Sequence, residues 1–144
     1  MAEGRFVLTR IGQTLVVTLE GTADEATLSS AAETVAEIHS REGAASVVFE
    51  VSGCEVIDLD EFVGLQKLVR TMEWLGLSCV IAGLRPGVVA YLALAGISAG
   101  SLRTSLDLEL ALQELNPSRE QAETESESEP EPEPEYDADD ARPI

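Results

Sequence analysis

Residues 45–58 read ASVVFEVSGCEVID. The first half, residues 45–51, is a near-continuous apolar run, the pattern of a strand covered on both faces. Ser52-Gly53 then turns the chain, and the short apolar pair Val56-Ile57 leads to Asp58. An aspartate there suits a helix N-cap, because its carboxylate can accept a backbone N–H that lacks a helical partner. Residues 60–75 follow at helical spacing. Phe62, Leu65, Val69 and Met72 share one face, and Lys67, Arg70 and Trp74 share another. Asp60 and Glu61 lie at the positive end of that helix's dipole. Residues 78–84, SCVIAGL, repeat the buried-strand pattern. Strand, helix and strand in this order predict a parallel crossover, and hence an α/β fold.

The pattern extends both ways from this unit. Residues 6–11 and 14–20 read as strands joined by Gly12-Gln13, a connection short enough for a hairpin. In the second strand Leu15, Val17 and Leu19 alternate with Thr14, Val16 and Thr18, which places the two sets on opposite faces. Gly21 to Asp24 closes that strand and offers a helix start. Residues 25–41 carry Leu28, Ala31, Ala32, Val35 and Ile38 as one apolar stripe, with Glu33, Glu37 and Arg41 elsewhere. His39, the only histidine, is expected on the surface near the helix C-terminus, where the dipole favours it. Downstream, Pro86 opens a helix at the position where proline fits best. That helix carries Val88, Val89, Leu92, Ala93 and Leu94 and stops at Gly96. Residues 101–106 read as a short strand or turn, and residues 107–115, DLELALQEL, as a closing amphipathic helix. The expected order is β-β-α-β-α-β-α-(β)-α. The opening hairpin makes the sheet mixed, covered by about four helices.

Composition divides the chain at Pro117. Residues 117–144 hold eight Glu and three Asp against two Arg, which is −9 of the chain's net −18. Repeated Glu-Pro and scarce large apolar side chains cannot offset the entropy of ordering, so this segment is expected to be a disordered acidic tail. It reads either as a solvating tail or as a guard or bait for a basic surface. Residues 1–116 then form the single folded domain. Aromatics are only 4% of the chain, so its core must be aliphatic. The acidity argues against nucleic acid and anionic membranes as partners, and for basic protein surfaces. No segment approaches the ~18 apolar residues of a membrane span. The opening MAEGRFVLTRIG lacks the apolar core of a signal peptide. A soluble cytoplasmic protein is the expectation.

Catalytic signatures are missing. The sequence contains neither GxGxxG nor GxxxxGK[ST], and no GxSxG. One histidine supports neither a triad nor a metal cluster. Cys54 and Cys79 lie in or beside apolar runs without a CxxC, as reduced core thiols do. The carboxylates Glu55, Asp58, Asp60 and Glu61 crowd one loop and helix start, but nothing nearby supplies a nucleophile. A helix start already occupied by carboxylates is also poorly suited to phosphate. No enzyme, no cofactor and no metal is expected.

Residues 46–58, SVVFEVSGCEVID, resemble the pattern of the STAS domain family, in which a buried strand runs through a short loop to an Ile-Asp before a helix. Residues 75–97, LGLSCVIAGLRPGVVAYLALAGI, resemble the family's next strand, turn, proline-started helix and Gly-Ile exit. Residues 104–115, TSLDLELALQEL, resemble its last segment. The likeness covers about residues 5–115 and is nearest to the anti-sigma-factor-antagonist type, in particular the scaffold proteins of bacterial stressosomes. It implies a STAS fold and a non-enzymatic role in protein–protein signalling. The implied partners are other STAS proteins, a switch kinase or an anti-sigma factor, with self-association among the options. An accessory subunit of a membrane lipid or anion transporter is the alternative, and a ligand-sensing or enzymatic domain is a third reading.

The resemblance also exposes a departure. In the family, a Ser or Thr just after the loop aspartate, or one position later, is phosphorylated by a partner kinase. Here those positions are Leu59 and Asp60, which have no hydroxyl. Leu59 would keep an apolar docking surface permanently available. Asp60 and Glu61 would instead mimic the phosphorylated form in part, with one charge each against nearly two for phosphate. Ser52 and Thr71 are alternative acceptors. The implied interaction surface comprises Asp58, Glu61, Phe62, Lys67 and Arg70 around the helix start and its exposed face. Trp74 lies on that same exposed face, although packing against the domain's own surface is the favoured expectation for it.

Overall fold

The computed structural model describes residues 3–97 and 102–115. Two strands, β1 (Arg5–Ile11) and β2 (Thr14–Glu20), pair antiparallel, in register from Arg5 opposite Glu20 to Ile11 opposite Thr14. Gly12 turns the hairpin with φ +61°, a left-handed conformation that glycine adopts without steric cost. The remaining strands, β3 (Ser46–Gly53), β4 (Ser78–Ala82) and β5 (Thr104–Ser105), add in parallel, giving the order β1-β2-β3-β4-β5. β3 continues through Ser52-Gly53, where the sequence reading placed a turn. The pairing shifts register near Thr18 and sets Glu20 beside Gly53, so β2 holds the end of β3 in the sheet.

The helices are α1 (Glu25–Glu42), α2 (Leu59–Trp74), α3 (Pro86–Leu94) and α4 (Leu108–Leu115). The two faces of the sheet have different covers. Leu15, Val17 and Leu19 of β2, with Val47, Phe49 and Val51 of β3 and Cys79 and Ile81 of β4, face α1, α2 and α3. There they meet Leu28, Ala31, Val35, Phe62, Leu65, Val69, Met72, Val88 and Leu92, all buried. Val48, Val80 and Ala82 face the other way and are closed by Ala111 of α4, with Leu108, Leu112 and Leu115 around it. This explains the continuous apolar run of β3: it is central, and both its faces are dry. Each large side chain buried there contributes about 1.5–3 kcal/mol. Thr14 and Ser46 lie on the α4 side of the sheet, where their buried hydroxyls bond each other at 2.9 Å.

His39 corrects the expectation of a simple surface residue. It is half-buried, and its ring ties three segments together. Nδ1 lies 3.1 Å from the Ala44 N–H and Nε2 lies 3.1 Å from the Leu75 carbonyl. The N–H can only donate and the carbonyl can only accept. The ring therefore accepts at Nδ1 and donates from Nε2, clamping the end of α1 to the α2–β4 turn.

Trp74 corrects the other packing expectation. It is 86% exposed at the end of α2. The expected tail, residues 117–144, and residue 101 of the expected short strand or turn lie outside the described residues. Cys54 and Cys79 are free and buried. Burial pushes the Cys54 thiol up to about 11, assisted by the charges of Glu61 and Glu50. Burial likewise raises Cys79, to about 12.

Candidate functional site

The loop after β3 delivers Asp58 to the N-cap of α2 in extended backbone. Its Oδ1 accepts the Glu61 N–H at 2.8 Å, and Glu61 Oε1 accepts the Asp58 N–H at 3.2 Å. This is a complete capping box. Both carboxylates, expected as interaction residues, are thus already engaged in starting the helix. Leu59 is the first helical residue and is 37% exposed. It stands at the helix entrance, and Asp60 beside it is exposed. Val56, in the preceding loop, is also exposed, as is Val63 one turn into the helix.

Phe62 is the residue of the expected surface that the structure removes. It is buried in the main core, because it lies on the same helical face as Leu65, Val69 and Met72. A side chain that fills the domain's own core cannot also be offered to a partner. Lys67 and Arg70 are exposed on α2.

The tertiary fold adds a second wall that the sequence reading did not find. The start of α1 lies across from the start of α2, and between them runs a groove of about 710 Å³. Asp24, Glu25 and Ser29 line it from α1; Asp58, Asp60, Glu61, Val63, Lys67 and Thr71 line it from α2. Asp24 caps α1 as Asp58 caps α2, accepting the Thr27 N–H at 2.9 Å. Bonds from Thr27 hold the Asp24 carboxyl below its ordinary range. Leu28 and Gly64 meet within the groove. A Cβ on Gly64 would lie 3.0 Å from Leu28 Cδ1, so glycine lets the two helices approach this closely. The lone glycine inside an amphipathic helix was the one signal of that approach in the sequence.

The groove is acidic at its mouth, where five carboxylates face a single lysine. Both helix starts there are lined by carboxylates, which also cap the Thr27 and Glu61 N–H groups, so like charge disfavours an anion. Of the two alternative hydroxyls, Thr71 lines the groove but donates to the Lys67 carbonyl at 2.9 Å. Ser52 is exposed and donates to Glu50 at 3.0 Å. Among the described residues, no group of three or more His, Cys, Asp or Glu is arranged to hold a metal ion, and no helix is long and apolar enough to cross a membrane.

Fold and groove together define a class: a small α/β domain with a mixed sheet, helices on both faces and an open surface around the start of the second helix. The chain belongs to the STAS family, whose domain model matches residues 5–111. Its fold is shared by the solved structure of a Ser-to-Glu variant of RsbS from Moorella thermoacetica. The two chains are 25% identical, with a TM-score of 0.66 over 81% of this chain and 98% of that one. A structure described as the molecular architecture of the stressosome, a signal integration and transduction hub, matches at 24% identity. Its TM-score is 0.61, covering 78% of this chain and 98% of that one. The unphosphorylated anti-sigma factor antagonist SpoIIAA matches at 14% identity with a TM-score of 0.59, over 78% of this chain and 96% of that one. A search of curated protein sequences finds no significant match.

Proposed function

We propose that this chain is a non-enzymatic regulatory scaffold of the anti-sigma-factor-antagonist type, working in the cytoplasm of a bacterium by binding signalling proteins. The carrying observation is Leu59. It stands exposed at the first position of α2, where the family resemblance places a phosphorylated hydroxyl, between Asp58 and Asp60, which line the acidic groove. An apolar side chain there keeps the docking surface in one state, because no phosphate can be added to it. Exposed Val56 and Val63 extend the apolar part of that surface, and Lys67 and Arg70 supply its positive charge. Asp58 and Glu61 act mainly by holding the helix start in place. The RsbS and stressosome likenesses support a scaffold role among related STAS proteins or with a switch kinase. Residues 117–144 form, in this reading, a solvating acidic tail outside the folded domain.

The test is titration calorimetry of the full chain against the STAS proteins and switch kinase encoded in the same genomic neighbourhood. Binding that is unchanged by ATP and weakened at least tenfold by Leu59→Glu supports the reading. Binding abolished by ATP in the wild type, or left intact by Leu59→Glu, overturns it.

A further inference from the structure

The positive charge of α2 lies on one stripe. Lys67, Arg70 and Trp74 stand three and four residues apart, which puts them on one side of the helix. All three are exposed, Trp74 at 86%. Among the described helices, only α2 holds more than one of the chain's nine Lys and Arg. Elsewhere Arg5 pairs with Glu20 at 2.7 Å and Arg10 with Glu42 at 3.5 Å. The side chains of Lys67 and Arg70 pair with no other described residue, although Glu73 lies three residues from Arg70. With 27 Asp and Glu in the chain, the fold still leaves these two neighbouring cations without a described anion, beside the one tryptophan.

We propose that this stripe is a docking site for the chain's own acidic segment, residues 129–136, EPEPEPEY. Charge selects the occupant, since residues 117–144 carry −9. The carboxylates at the groove mouth, around the start of α2, repel that segment and confine it to the half of the helix that holds Lys67, Arg70 and Trp74. The residue types fit as well. Proline-rich segments dock on exposed aromatic rings in polyproline II form, with three residues per turn and ~3.1 Å per residue. Docked in that form, Glu131 and Pro134 fall on one side, ~9 Å apart. Lys67 and Trp74 are separated by a helical rise of ~10.5 Å. A glutamate therefore meets the lysine while a proline covers the indole, with Arg70 between them for a neighbouring carboxylate. The reach is sufficient. α4, after which the segment departs, lies on the opposite face of the sheet from α2. The fifteen residues from Leu115 to Pro130 span up to ~47 Å when extended, and a domain of this size is about 35 Å across. The tether holds the segment near the stripe at an effective concentration on the order of millimolar, so a weak contact is still populated. A separate acidic protein lacks that advantage. Once docked, the segment covers the basic part of the surface assigned above to partners. That consequence rests on the scaffold reading; the docking itself does not.

Trp74 is the chain's only tryptophan, so its fluorescence reads the site in the full chain without an added probe. Acrylamide, an uncharged quencher, should reach it about twofold less well at low ionic strength than at about 1 M salt, where screening shortens to ~3 Å and releases the segment. The double variant Lys67→Glu, Arg70→Glu should give the high-salt value at every salt concentration. Both side chains are exposed, so the variant keeps its fold, which circular dichroism verifies. A second measurement locates the segment. Both native thiols are buried, so Ser128→Cys takes a single nitroxide label next to the Glu-Pro repeat. The label should broaden the amide NMR signals of residues 67–75 and lose that effect in the double variant. When a nitroxide-bearing chain is mixed with an isotope-labelled one that has no nitroxide, the latter should show no broadening, because the contact lies within one chain. A Trp74 equally open at low and high salt leaves the stripe to an external partner and overturns the proposal. Shielding that survives the double variant also overturns it, as does broadening centred away from α2. Broadening in the mixed sample puts the segment on a second copy and equally overturns it. No partner protein enters these measurements, so their failure is distinct from failure of the scaffold reading.

Discussion

Asp58 and Glu61 hold each other's backbone N–H groups, at 2.8 Å and 3.2 Å, across the first turn of α2. Two donors that the helix cannot satisfy internally are satisfied by two side chains three residues apart. The position of Leu59 follows directly, because it is the residue between the cap and the turn that the cap closes.

The same pair makes a stability prediction. Asp58→Ala removes one of these bonds and should lower the unfolding free energy by about 1 kcal/mol. Asp58→Ser retains a capping oxygen and should recover most of that loss. Urea denaturation of the three proteins measures it. Equal stability for wild type and Asp58→Ala would mean that the cap is not formed in solution.

Leu59→Ser places a hydroxyl at the helix entrance without opening the core, since the leucine is already 37% exposed. The variant should fold with a stability within about 1 kcal/mol of the wild type. Incubated with a cognate switch kinase and ATP, it should gain one phosphate by mass spectrometry, whereas the wild type gains none. A serine that stays unmodified would show that the kinase does not dock at this helix start.

The clamp by His39 predicts a loss that a surface histidine would not give. His39→Ala leaves the Ala44 N–H and the Leu75 carbonyl without their partner and should cost about 1–3 kcal/mol. His39→Gln carries both an acceptor and a donor and should cost less. Thermal melts of the two variants at neutral pH give the comparison, and identical melting temperatures for both and for the wild type would remove the clamp.

The two cysteines set an alkaline limit. Burial, foremost, raises Cys54 to about 11 and Cys79 to about 12, above the values near 9 expected once the chain unfolds. Between those limits the folded protein binds more thiol protons than the unfolded one, so stability falls as pH rises. It should be level from neutral pH to about 9 in this respect and decline from there through 11 to 12. A thiol reagent at pH 8 should label neither cysteine in the native protein and both in urea. Rapid native labelling would show that the strands around them open.

The tertiary assignments and the sequence diverge at identifiable residues. The alternation in β2 and the unbroken apolar run in β3 carried enough information to place both strands, because period and run length depend only on the neighbours along the chain. The N-cap at Asp58, the helix after it and the proline that opens α3 were legible for the same reason. Phe62 was read as both core and surface. Helical periodicity assigns a residue to a face, and only packing against the sheet decided that this face was the inner one. Trp74 shows the reverse: the cover favoured for a large aromatic is missing, and the side chain is left 86% exposed on the face it was read to share with Lys67 and Arg70.

Local pattern, then, determined on its own the elements, their order, the α/β class and the absence of a hydroxyl at position 59, since each depends on spacing within a few residues. Tertiary structure alone decided that Asp24 and Glu25 stand opposite Asp60 across a groove. It alone decided that His39 joins two helix ends, and that α3 keeps an apolar face in the open. Those facts are relations between segments distant in sequence. They are fixed by how helices settle on a twisted sheet, which no spacing along the chain encodes.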